Sequence, residues 1–202
     1  MASILQDLQK TVIAGIVLTI VLFVLVRLLT GVGFTFDHAW FAFLFRWLHV
    51  VSGVMWIGLL WYFNFVQIPS MPRIPDEQRP AIGKVIAPAA LWWFRWGAMA
   101  TMVTGIILAG MNGYLVDGLV LGLSDEGAST PIGLGMWLGL IMWFNVWIVI
   151  WPNQRKALGM VEASADEKAA SARTAMLFSR TNTLLSIPML FCMVAAQNGG
   201  FA

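Results

Sequence analysis

Five long apolar segments, separated by short polar connections, constrain the fold of this chain more than any other feature. They cover approximately residues 11–32, 39–68, 85–110, 132–151 and 172–196. Each is close to, or longer than, the roughly 20 residues that an α-helix needs to cross the hydrocarbon core of a bilayer. We therefore predict an all-α integral membrane protein with about five transmembrane helices, in which residues 1–202 form a single membrane domain.

Composition excludes several classes of protein. Only 11% of the residues are charged, against about 25% in soluble domains. The net charge of +2 is too small to indicate nucleic acid as a partner, and the single cysteine, Cys192, allows no internal disulfide. The 11 tryptophans fit the aromatic belts found at membrane surfaces. The lipid bilayer is thus the first partner that the sequence predicts.

Basic residues distinguish two connections from the other two. Lys and Arg occur in 70–84 and in 152–173, whereas 33–38 and 112–131 contain neither. The positive-inside rule then places the N-terminus and both basic connections in the cytoplasm, and the C-terminus in the periplasm. We expect a multi-pass protein of the bacterial inner (cytoplasmic) membrane.

The second and fourth segments share a short pattern. One reads Trp61-Tyr62-Phe63-Asn64 and the other Trp143-Phe144-Asn145, each followed by a proline. The segment after each carries one deep arginine, Arg95 or Arg180. The pattern is either a duplicated helical hairpin or chance. A duplication predicts a four-helix core bundle with a peripheral N-terminal helix.

Arg95 and Arg180 are the charges that most need an explanation, because a charge inside the bilayer costs about 2.5–3.5 kcal/mol on insertion scales. All acidic residues lie in connections or termini. One interpretation is an anion or substrate site built from Arg95, Arg180, Asn145 and Asn64. The alternative is that the arginines reach the cytoplasmic interface, or pack on the rings of Trp92, Trp93 and Trp96.

His49 lies well inside the second segment and is a candidate haem ligand. Gly53 is one turn along on the same face, where missing bulk would admit a flat macrocycle. Arg46 is one turn the other way and could pair with a haem propionate. A b-type haem, with His49 on its iron, fits this arrangement. The second axial position would be open or filled by a methionine such as Met102 or Met136. The alternative is a histidine bonded to a neighbouring helix, with Gly53 serving close packing.

Several stretches resemble the membrane domain of the bacterial membrane-bound urate hydroxylase (urate oxidase N-terminal) family. They include Arg46-Trp47-Leu48-His49-Val50, Trp92-Trp93-Phe94-Arg95-Trp96-Gly97, Trp151-Pro152-Asn153-Gln154-Arg155-Lys156 and Ser179-Arg180-Thr181-Asn182-Thr183. The resemblance implies a redox enzyme that oxidises urate and passes electrons onward. Family members with an assigned activity are larger, and they combine a longer membrane domain with a C-terminal cytochrome c. This chain looks like a short stand-alone member without the cytochrome c domain.

Three functions follow from these observations. The first is a urate hydroxylase-like oxidoreductase with a haem b, which would pass electrons to a separate cytochrome c. The second is a non-catalytic accessory subunit of a larger photosynthetic or respiratory membrane complex. The third is a small transporter or anion-binding protein. No catalytic residue is predicted for any of them.

Overall fold

The computed structural model describes residues 2–201 and contains no strand among them. Five helices are long and apolar enough to cross a membrane, which confirms the all-α fold class. In chain order they are α1 (Leu8–Thr30), α2 (His38–Arg73), α3 (Arg79–Met111), α4 (Thr130–Ala157) and α5 (Ala165–Asn198). Short helices cover Ala2–Leu5 and Leu115–Leu119.

The chain divides into two compact units, Met1–Phe41 and Ala42–Ala202. Within the first unit, the Asp7 side chain caps α1 by accepting a hydrogen bond from the Lys10 amide at 3.2 Å. The helix ends at Gly31, whose φ of +67° is the left-handed conformation that glycine adopts at low cost. No residue of α1 is buried. A predominantly apolar helix without a buried residue is suited to a lipid environment.

The core of the second unit draws on four helices, as the sequence predicted. Its largest fully buried side chains include Trp56 and Leu60 of α2, Phe94 of α3 and Met142 of α4. Helix α5 contributes Met189. The buried core cluster contains no residue of α1.

Three of the long helices contain a π-helical segment just before a proline. These segments are Tyr62–Gln67, Ile82–Ile86 and Asn145–Ile150. The prolines are Pro69, Pro88 and Pro152, each two residues after its segment ends. Proline removes an amide donor and clashes with the carbonyl four residues earlier, so a wider turn relieves both problems. The wide turns of α2 and α4 lie at Asn64 and Asn145, the positions of the shared sequence pattern.

Helices α2 and α3 are longer than a bilayer requires. They contain 36 and 33 residues, which correspond to about 50 Å of helix against a hydrocarbon core of about 30 Å. The basic connection between them therefore extends past the hydrocarbon. Helix α5 begins with a capping box, in which Ser164 accepts from the Glu167 amide and Glu167 accepts from the Ser164 amide.

Candidate functional site

His49 is held against α3 by a hydrogen bond to backbone. Its Nδ1 lies 2.9 Å from the Thr101 carbonyl oxygen. A carbonyl only accepts, so Nδ1 carries the proton and donates it. The Thr104 hydroxyl is 3.4 Å from the same nitrogen. The other ring nitrogen, Nε2, has no hydrogen bond to any residue in 2–201, and its lone pair is therefore available.

Two glycines of α3 allow α2 to approach. A Cβ added at Gly105 would lie 2.8 Å from Cε1 of His49, and one added at Gly97 would lie 3.3 Å from the Trp56 amide nitrogen. A methyl group at position 105 would require His49 to shift, and one at position 97 would make an unusually tight contact with α2. The sequence interpretation did not single out either glycine, although they are eight residues apart and so share a helix face.

Gly53 differs from these two glycines. A Cβ added there would meet nothing closer than Cγ2 of Thr101 at 4.0 Å. The approach of α2 to α3 therefore does not require glycine at position 53. The missing side chain instead leaves a small space on the His49 face of α2.

The donor chemistry of His49 is compatible with a haem iron. A metal-bound histidine usually donates its second ring N–H to a carbonyl or carboxylate, as Nδ1 of His49 does. The free Nε2 is then the nitrogen that would hold iron. Gly53 has no side chain on the His49 face, and Arg46 is exposed and forms no salt bridge among residues 2–201.

The two asparagines of the predicted anion site both bind α5. Nδ2 of Asn64 donates to Oγ of Ser179 at 2.7 Å, and Nδ2 of Asn145 donates to Oδ1 of Asn182 at 2.8 Å. Asn182 in turn donates to the Met142 carbonyl at 2.9 Å and is 0% exposed. These amides join α2 and α4 to α5 inside the bundle.

The polar run at 179–183 divides between two faces of α5. Ser179 and Asn182 are buried, and so is Ser186, which accepts a 3.0 Å hydrogen bond from Nε1 of Trp61. Arg180 is exposed. One residue along a helix is a rotation of about 100°, so Arg180 cannot share the face of Ser179. The structure thus brings Asn64 and Asn145 onto α5 without bringing Arg180 to them.

Arg95 packs on tryptophans of α4. Its guanidinium carbon lies 3.2 Å from the ring centroid of Trp151 and 5.9 Å from that of Trp147. The sequence interpretation named Trp92, Trp93 and Trp96 as the possible rings. Helical side chains point toward the N-terminus of their helix. In α3 that end lies beside the C-terminal end of α4, where Trp151 is.

A second guanidinium lies near the same ring. The guanidinium carbon of Arg155 is 6.0 Å from the centroid of Trp151. Neither Arg95 nor Arg155 is in the salt bridges found among residues 2–201, which join Lys10 to Asp7 and Arg79 to Asp76. Nε of Arg95 is buried without a hydrogen-bond partner. The sequence analysis missed Arg155 as a neighbour of Arg95, because the two residues belong to different helices.

Arg95 and the His49 contact lie close together along α3. Arg95 and Thr101 are six residues apart on α3, which is about 9 Å of helical rise. The two sites therefore lie at adjacent levels of α3, where His49 of α2 and Trp151 of α4 contact it.

Part of the chain matches a known protein family. Residues 118–199 match the sequence model of the family described as urate oxidase N-terminal. Searches of curated proteins and of solved structures found no match. The matched part includes all of α4 and α5, which carry Asn145, Trp151, Arg155 and Asn182. This part of the chain, residues 118–199, is therefore similar to the urate oxidase N-terminal family.

Proposed function

We propose that this protein is a urate hydroxylase-like membrane protein with a redox role, in which His49 binds a b-type haem. The observation that carries the proposal is the hydrogen bond from Nδ1 of His49 to the Thr101 carbonyl, which leaves Nε2 free. The family match supports the oxidoreductase class.

The chain's own residues would hold the group in three ways. His49 supplies the iron ligand, and the carbonyl of Thr101 fixes its ring orientation and tautomer. Gly53, which has no side chain, would lie beside the ring edge. Arg46 would pair with a propionate, since a guanidinium binds carboxylates through two parallel hydrogen bonds. The haem would supply one-electron redox chemistry, with a separate cytochrome c as the electron acceptor.

Haem content of two matched histidine variants tests this assignment. His49→Ala removes the proposed ligand, and His38→Ala removes the other histidine of the chain. We expect the His49 variant to lose most of its bound haem, and the His38 variant to keep it. Equal haem content in the two variants would overturn the assignment. Circular dichroism of each purified protein verifies that both remain helical.

An accessory subunit of a larger photosynthetic or respiratory complex is the second candidate. The observation that favours it is the exposure of Trp92, Trp93 and Trp96, which are 48%, 53% and 47% exposed on α3. Tryptophan is enriched in interface hot spots as well as in lipid belts. Extraction in mild detergent followed by mass spectrometry tests it. A stable stoichiometric assembly supports a subunit role, and migration as an isolated chain opposes it.

A further inference from the structure

We infer that Arg95, Trp151 and Arg155 form a binding site for a phosphate-type oxyanion at the basic end of the bundle. This site lies outside the His49 region, and it does not depend on the redox role proposed above. It joins one arginine from the middle of α3 to one from the last turns of α4.

The first argument is uncompensated charge. Both guanidinium groups lie near one indole, at 3.2 Å and 6.0 Å from its centroid. Two like charges repel, and neither arginine has a carboxylate partner among residues 2–201. An indole face offsets part of this cost by cation–π attraction. A bound anion would offset the rest.

The second argument is unsatisfied donors. Nε of Arg95 is buried and has no hydrogen-bond partner. Nε1 of Trp147, whose ring is 5.9 Å from the same guanidinium, is also buried and unpartnered. Buried donors normally find an acceptor. A tetrahedral oxyanion offers several acceptor oxygens and suits guanidinium geometry.

The third argument is position. Trp151 is the last residue of the apolar part of α4. Pro152, Arg155 and Lys156 follow it within one and a half turns. An indole at this point marks the membrane–water interface, and basic residues just beyond it bind lipid headgroups. The shared ligand chemistry is therefore a phosphate group, either on an anionic phospholipid or as free phosphate.

Native mass spectrometry of the full chain tests the site. The protein is purified in detergent and supplied with phosphatidylglycerol or with phosphatidylcholine. The variants are Arg155→Gln, Arg155→Lys and Trp151→Leu. Arg180→Gln is the control, because it removes an equal charge from an exposed arginine for which no contact with an aromatic ring is found among residues 2–201. Arg155 is exposed, so its variants should fold normally.

We expect the wild type to retain phosphatidylglycerol in preference to phosphatidylcholine. Arg155→Gln should lower this retention about fivefold, Arg155→Lys should lower it less, and Arg180→Gln should leave it unchanged. Retention of both lipids alike, combined with phosphate binding that Arg155→Gln abolishes, would support the site with free phosphate as the source. Equal losses in Arg155→Gln and Arg180→Gln, or no loss in either, would overturn it. Haem content is measured on the same samples, so failure here is distinguishable from failure of the redox proposal.

Discussion

Gly105 and His49 are in direct contact across the α2–α3 interface, since a Cβ at position 105 would lie 2.8 Å from Cε1 of the imidazole. The ring is also fixed by its 2.9 Å hydrogen bond to the Thr101 carbonyl. The imidazole ring therefore packs against Gly105, and the Thr101 carbonyl fixes its orientation. Its position depends on α3 as much as on its own helix.

Gly105→Ala should displace His49. The added methyl group overlaps a ring that cannot move without losing its hydrogen bond, and overpacking of this kind costs about 1–3 kcal/mol. Unfolding in mixed detergent micelles, followed by circular dichroism, measures the loss of stability. Haem content should fall in the same variant.

Gly53→Ala is the matched control for the stability measurement. Its new methyl group would meet only Thr101, at 4.0 Å, and alanine favours helix over glycine by up to about 1 kcal/mol. Stability should therefore stay equal or rise. If both alanine variants were equally stable, the proposed contact between His49 and Gly105 would be wrong.

Asn182→Ala should weaken the attachment of α5. The change leaves Nδ2 of Asn145 without its acceptor, inside the bundle. Interhelical hydrogen bonds in membranes are worth about 0.6–1.7 kcal/mol. The same unfolding assay measures the effect, and Thr181→Ala serves as control, because its hydroxyl is exposed and bonds only within α5. A larger loss in the Thr181 variant would contradict this role of Asn182.

Much of the fold could be predicted because the hydrophobic pattern is strong. The five spans follow from apolar length, and the four-helix core was predicted from the pattern shared by the second and fourth segments. The buried face of α5 could also have been predicted from the sequence, because small and polar residues recur there at helical spacing: Ser171, Ala175, Ser179, Asn182 and Ser186. The helical period of about 3.6 residues places Arg180 on a different face of α5 from Ser179 and Asn182. The predicted anion site, which grouped Arg180 with Asn145, did not take this period into account.

The candidate sites were harder to predict because they depend on contacts between helices. The ring that receives Arg95 is 56 positions away in the chain, and no local signal selects Trp151 over Trp92. The group that accepts the hydrogen bond from Nδ1 of His49 is the backbone carbonyl of Thr101, and no residue type in the sequence identifies it as an acceptor. Wide turns before Pro69 and Pro152 also change the faces that α2 and α4 present, and a simple period of 3.6 residues does not include this change.

The proposed orientation predicts a labelling pattern. With Cys192 replaced by alanine, single cysteines are introduced as Gln78→Cys, Met160→Cys and Asn112→Cys, at exposed connection positions. Because both basic connections should be cytoplasmic, cysteines 78 and 160 should resist a membrane-impermeant thiol reagent in intact cells. The cysteine at 112 should react. Reaction of 78 but not 160, or the reverse, would contradict the orientation and the helix count together.

The reduced-minus-oxidised absorption spectrum of the purified full chain tests the haem assignment most directly. The account predicts the bands of a b-type haem, at about one haem per chain, which are lost in His49→Ala. A colourless wild-type protein purified from haem-sufficient cells, or a spectrum unaltered by loss of His49, would contradict it.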